Sequence, residues 1–215
     1  MRKASPPQGF SLVELLVVLA IIALLGALIV PSITSALRGS ALSQGGQEVI
    51  SEIAGARQVA LSQNRVVEVR FYRVAESGMP GEVAGNPATG KFRALQSFVY
   101  DSTGTISTAL DKVQMLPDMV IMDSGSTLST LLGSTQAKSW TASDPQIMLP
   151  VVGTSYNACV FDFEPDGSTN LNPIGQQWFV TLHGFTSGDN LTTLPVNFFT
   201  LQVDALNGHI QNYRP

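Results

Sequence analysis

Residues 9–30 read GFSLVELLVVLAIIALLGALIV, and the rest of the chain follows from what they can do. From Phe10 to Val30 the only polar side chains are Ser11 and Glu14. As a helix that run would extend about 32 Å, enough for a hydrocarbon core of about 30 Å. The preceding MRKASPPQG is short and polar, with Arg2, Lys3 and the start amine as cations. No similar cluster follows, so the expected orientation is a cytoplasmic start and an exported remainder. The run exceeds the apolar core of an ordinary signal peptide, although a small-x-small site exists near Thr34–Ala36. A plain membrane anchor leaves Glu14 unexplained, because a carboxylate in a membrane helix costs about 2.5–3.5 kcal/mol and should have a partner or a function.

Behind this run the pattern changes twice. From Ser32 to about Asn64, Ile33, Leu37, Val49, Ile50, Ile53, Ala56, Ala60 and Leu61 recur at three- and four-residue steps, the period of an amphipathic helix. One long helix is expected over about 10–63. Pro31 removes a backbone donor and should kink it. Gly39 and the Gly45–Gly46 pair are the expected bends or melted turns.

After Asn64 the period becomes two. In RVVEVRFYRVA, residues 65–75, Val67, Val69 and Phe71 share one face and Glu68, Arg70 and Tyr72 the other. Residues 76–91 are turn-rich. Strands are expected at 92–100, 111–116, 147–152, 158–163, 177–182 and 196–204. A short helix is expected in the Ser/Thr-rich stretch ending at Ser143. A two-residue turn at Asn207–Gly208 leads to a last strand ending at Tyr213. The expected fold class is α+β, one long N-terminal helix packed on an antiparallel β-sheet.

Composition narrows the function. The 215 residues are 13% charged, against about 25% in an average domain, with a formal net charge of −4. An acidic chain is not a nucleic-acid binder by bulk electrostatics. Its single cysteine, Cys159, excludes an intramolecular disulfide and lies in the apolar run Ala158–Phe161, as a buried hydrophobe would.

Gly9-Phe10-Ser11-Leu12-Val13-Glu14 and the apolar run behind it resemble the prepilin signature of type IV pilins and type II secretion pseudopilins. The resemblance implies cleavage after Gly9 by a prepilin peptidase and methylation of the new Phe10 amine. It makes Glu14 the assembly glutamate, and Pro31 matches a proline that many pilins carry. It implies residues 1–9 as leader, 10–31 as transmembrane and assembly helix, 32–64 as the amphipathic half, and 65–215 as an extracytoplasmic β-rich domain. The implied partners are other pilin or pseudopilin subunits, the peptidase and the inner membrane, with the C-terminal domain in the periplasm. Losing Arg2 and Lys3 with the leader leaves 10 Lys+Arg against 16 Asp+Glu.

Physically, glycine lets a protease approach the backbone. The new ammonium of one subunit could then face Glu14 of its neighbour. Within the superfamily, VFDFEPDGS at 160–168 and FTLQVDALNGHI at 199–210 resemble segments of the GspH/FimT minor pseudopilin branch, although Asn207 and His209 replace that branch's Thr and Arg. The chain also resembles pilin-like proteins of some verrucomicrobial gene cassettes.

Other constellations are less specific. Asp162, Glu164 and Asp166, followed by Gly167, resemble the start of a calcium loop, but the twelfth position is Pro173, which excludes an EF-hand. A hairpin turn at Pro165-Asp166-Gly167 is the simpler reading. His183 and His209, with Asp189 and Asp204, lack any nucleophile elbow or metal spacing, so no enzyme and no cofactor are expected. DNA or surface binding at a pilus tip is the alternative function. It would need a basic patch, for which Arg65, Arg70, Arg73 and Arg214 are the candidates.

Overall fold

The computed structural model describes residues 9, 11–104, 107–141, 144, 146–150 and 152–215, and side chains at all of these except 27–33 and 107. The leader residues 1–8 and Phe10 therefore lie outside the described residues. The chain divides into two compact units, one ending at Gly39 and one from Ser40 to Pro215.

Helix α1 runs from Leu12 to Gln63. In the first unit its large apolar side chains from Leu12 to Leu25 are 48–80% exposed. In the second unit Leu42, Val49, Ile53, Ala56 and Ala60 form a buried stripe. Their spacing of three, four and seven keeps them on one face of a 3.6-residue helix. The helix stops at Asn64, which takes the left-handed conformation at φ 54°. The Arg65 N–H then donates to the Ala60 carbonyl, the longer bond of a Schellman C-cap.

The melted turns expected as one possibility at Gly39 and at Gly45–Gly46 do not form, because α1 is helical through all three. The last two glycines serve close packing. A Cβ at Gly46 would fall 2.6 Å from the Phe199 ring, and one at Gly45 would fall 3.3 Å from Pro117 and Val120. Pro31 also lies within the helix span, with its side chain outside the described set.

Nine strands form one antiparallel sheet among the described residues. They are β1 Val67–Val74, β2 Lys91–Tyr100, β3 Ser107–Ala109, β4 Gln114–Met115, β5 Val120–Met122, β6 Tyr156–Phe163, β7 Trp178–Gly184, β8 Phe198–Val203 and β9 Ile210–Tyr213. The order is β6-β1-β2-β5-β7-β8-β9. The short strands β3, β4 and β5 follow one another along one edge of β2.

Val67, Val69 and Phe71 join the helix stripe and Phe161, Phe163, Leu182, Phe199 and Leu201 in the main core. The opposite face is buried as well. There Tyr72, Val74, Ala94, Leu149, Tyr156 and Ala158 cluster, with Trp140 and Ile147 packed against them. Two-sided burial is why Glu68 and Arg70, alternating with apolar residues on β1, are not solvated.

Several expectations differ in detail. Of the strand expected at 147–152, the described residues form only one isolated bridge, Leu149 with Gly153. Pro150 there has no N–H to give a ladder. The Ser/Thr-rich stretch holds two single 3-10 turns, Thr130–Leu132 and Ser134–Gln136. The last hairpin closes wider than two residues, because Asp204 N–H donates to the His209 carbonyl around residues 205–208. Asp204 itself accepts from Leu206 N–H and the Asn207 side chain, which stabilises the longer loop.

Paired glycine replacements test the packing. Gly46→Ala should lower stability by about 1–3 kcal/mol, since overpacking against Phe199 exceeds the gain in helix propensity. Gly55→Ala, where a new Cβ meets nothing within 4 Å, should raise stability by about 0.5–1 kcal/mol. Thermal unfolding of the two variants beside the parent checks both signs.

Candidate functional site

The N-terminal segment is built around Glu14. The Ser11 N–H donates to Glu14 Oε2 at 2.9 Å. The Leu15 N–H donates to the Ser11 carbonyl at 3.2 Å. Ser11 is thus the N-cap and Glu14 the third helical residue, reaching back to satisfy an otherwise orphaned donor, as in half of a capping box. A carboxylate in the first turn also faces the positive end of the helix dipole. The sequence signal is Ser11-x-x-Glu14, a spacing whose local role the reading from sequence missed.

Gly9 precedes this turn, and among the described residues nothing lies within 4 Å of the position a Cβ would take. Phe10, the expected first mature residue, lies outside the described residues. Contiguous exposed Leu, Val and Ile of this extent mark an interaction or membrane-facing surface. Among the described residues, no helix is long and apolar enough to cross a membrane. Side chains 27–33, within and just beyond the apolar run, lie outside that set.

The calcium candidates do not converge. Asp166 Oδ1 accepts from the Ser168 N–H and hydroxyl, and the Glu164 N–H donates to the Ser168 carbonyl, so this is a hairpin turn. Asp162 exchanges three hydrogen bonds with Asn170. Among the described residues, no group of three or more His, Cys, Asp or Glu could hold a metal ion.

The histidines are likewise apart. His183 Nε2 lies 3.0 Å from Asp123 Oδ2, and both side chains are fully buried. Asp189 holds Lys91 and the Ser124 N–H instead. Asp204 braces its own loop. Cys159 is buried, and burial pushes its thiol up to about 11, so it is no reactive nucleophile.

The basic patch required for DNA loses its central member. Arg70 is fully buried, with its guanidinium carbon 3.7 Å from the Phe98 ring centroid. Its Nε contacts Glu68, and Nη2 lies 2.9 Å from Asp144 Oδ1. Lys138 Nζ joins them, 2.6 Å from Glu68 Oε2 and 2.5 Å from Asp144 Oδ2. Burial alone would lower the Arg70 and Lys138 values, but the two carboxylates hold both above their ordinary range. Arg73 is spent on the Gly90 and Ala88 carbonyls, and Arg214 contacts Ser43. Lys138 and Asp144 were invisible as partners in the sequence, because they lie 70 and 76 positions from Glu68 in an irregular stretch.

Residues 6–30 match the family model described as the prokaryotic N-terminal methylation motif. Among solved structures the chain is similar to the type IV minor pilin FimU of Pseudomonas aeruginosa. In one crystal form the identity is 12%, covering 81% of this chain and 92% of that one with a TM-score of 0.42. In a second form the values are 13%, 81%, 97% and 0.40. It is also similar to the minor pseudopilin EpsH of the type 2 secretion system of Vibrio cholerae, at 8% identity, 81% and 97% coverage and a TM-score of 0.42. No curated protein matches the sequence. The N-terminal segment therefore carries the methylation motif, on a chain whose fold is one long helix packed on an antiparallel sheet.

Asp162 gives a pH prediction. It pairs across β1 and β6 with Glu68, and its Oδ1 is buried without a hydrogen-bond partner. Burial first, then Glu68, push its carboxyl up to about 7. The folded state therefore holds this proton from about pH 4 to about 7 while the unfolded chain releases it. The group's stabilisation is full below about pH 4 and is lost as pH rises through 7. Asp162→Asn should match the parent's melting temperature near pH 4 and exceed it by a few degrees at pH 8. Melting curves of both proteins across that range check the sign.

Proposed function

We propose that this chain is a structural, non-enzymatic subunit of a type IV pilus or type II secretion pseudopilus, of the minor pilin or pseudopilin kind. The carrying observation is the methylation motif over residues 6–30, set on a helix whose first turn is capped by Glu14 and whose next residues expose only apolar side chains. A prepilin peptidase cuts between Gly9 and Phe10, and the Phe10 amine is methylated and stays cationic. Residues 10–31 hold the chain in the inner membrane, with the β-rich domain in the periplasm, until the helix enters a filament with other subunits.

Glu14 then has two uses. In the isolated chain it accepts from its own helix terminus. In the filament it faces the Phe10 ammonium of a neighbour, a pairing that removes two charges from an apolar surrounding and fixes axial register. The DNA-binding alternative gains nothing from Arg70, which is buried and neutralised.

Glu14→Ala should leave leader cleavage intact. It should reduce incorporation into sheared filaments by about tenfold or more, the equivalent of about 1.4 kcal/mol or more per contact. Immunoblots of the filament and membrane fractions read both quantities. Parental incorporation of the variant would reject the role given to Glu14.

A further inference from the structure

A groove of about 570 Å³ runs between α1 and the β2–β4 part of the sheet within the Ser40–Pro215 unit. One wall is helical and carries Gln44, Glu48 and Glu52. The other is Leu110 and Asp111, between β3 and β4, with Gln114 of β4, and Ser97 lines it from β2. The Gln96 side chain donates to the Asp111 carbonyl at 2.7 Å and fixes that second wall. The lining holds three carboxylates and no Lys or Arg.

Two of its polar atoms are buried and unused. Gln44 Nε2 donates to Glu48 Oε1 at 3.0 Å, leaving Oε2 buried with no hydrogen-bond partner. Ser97, only 1% exposed, has a hydroxyl that is also without one. A desolvated carboxylate oxygen calls for a donor, and a positively charged donor is worth about twice a neutral one. The acidic lining sets the sign of the ligand. Ala56, Val59 and Leu110 supply apolar contact beside the carboxylates. Lined from Gln44 to Val59, the groove is about 22 Å long at the helical rise, which suits an extended chain rather than a compact ion.

The geometry points to a binding groove for a linear aliphatic amine, whose ammonium donates to Glu48 Oε2 and the Ser97 hydroxyl while its methylenes lie on Leu110, which is tied to Ser97 by a backbone hydrogen bond. A free polyamine and the side chain of a lysine presented by a partner protein share this chemistry. The inference is independent of the filament reading, because it uses none of residues 9–31.

The test is calorimetry on the full chain in detergent micelles at pH 7 and physiological salt, with spermidine and with acetyl-Gly-Lys-Gly-amide as probes. The expected result is saturable one-to-one binding of at least one probe. Glu48→Gln and Ser97→Ala should each weaken it, the former by about tenfold. Asp118→Asn, which removes a carboxylate outside the groove, should leave it unchanged. Binding of spermidine alone assigns the groove to a free polyamine, and binding of both probes assigns it to a lysine side chain. No saturable heat with either probe, or equal weakening by Glu48→Gln and Asp118→Asn, overturns the proposal.

Discussion

The second unit depends on how closely one helix can approach one aromatic ring. Phe199 lies against the helix backbone at Gly46, at a distance that no side chain at that position could allow. Two adjacent glycines in a helix interior cost about 1 kcal/mol each relative to alanine. That cost is offset where the approach brings Leu42, Val49, Ile53, Ala56 and Ala60 into contact with the sheet. Each fully buried large apolar side chain contributes about 1.5–3 kcal/mol. With the helix this close, β1, β6, β7 and β8 present their inward residues to one continuous core.

The other face of the sheet is held by different physics. A stretch of irregular chain covers it, and ionic contacts help to secure that stretch. Arg70 and Glu68 on β1 reach Lys138 and Asp144, and aromatic rings at Phe98 and Trp140 flank the guanidinium. Buried ion pairs of this kind add little net stability against an apolar replacement, yet removing a single partner leaves a stranded charge. The network thus ties Lys138 and Asp144 of that stretch to β1. Asp162 is a neighbouring carboxylate outside the main pairing, and its neutral form fits the site better than its charged form.

Much of this was legible in the sequence where one periodicity dominates. The run from Leu12 to Gln63 read as helix at both ends, and Asn64 marked its stop. The strands β1, β2, β6, β7 and β8 announced themselves by alternation and β-branched or aromatic residues. Legibility failed where residues act at long range. Gly45 and Gly46 read as breakers because local propensity contains no Phe199, which is more than 150 positions away. Arg70 read as a surface cation because alternation assumes one wet face. In the candidate site the motif was plain, but the capping role of Glu14 was masked by the more conspicuous question of a carboxylate in an apolar run. Ser11-x-x-Glu14 was nonetheless a readable signal.

The chain closes on itself late. Arg57, in the helix, donates from Nε to the Asn207 carbonyl, 150 positions later. The same side chain lies 3.1 Å from where a Cβ on Gly208 would sit, beside the Gly167 carbonyl and the Phe163 ring. Helix, β6 hairpin and last hairpin thus meet at one point, and β1 finds β6 only after some 80 intervening residues have been made. Such high contact order makes folding slow relative to helical domains of the same size, since loop closure must be paid for before the contacts reward it. The helix's docking face is therefore completed late: Phe199, Leu201 and Val203 of β8 lie more than 130 positions beyond the end of α1.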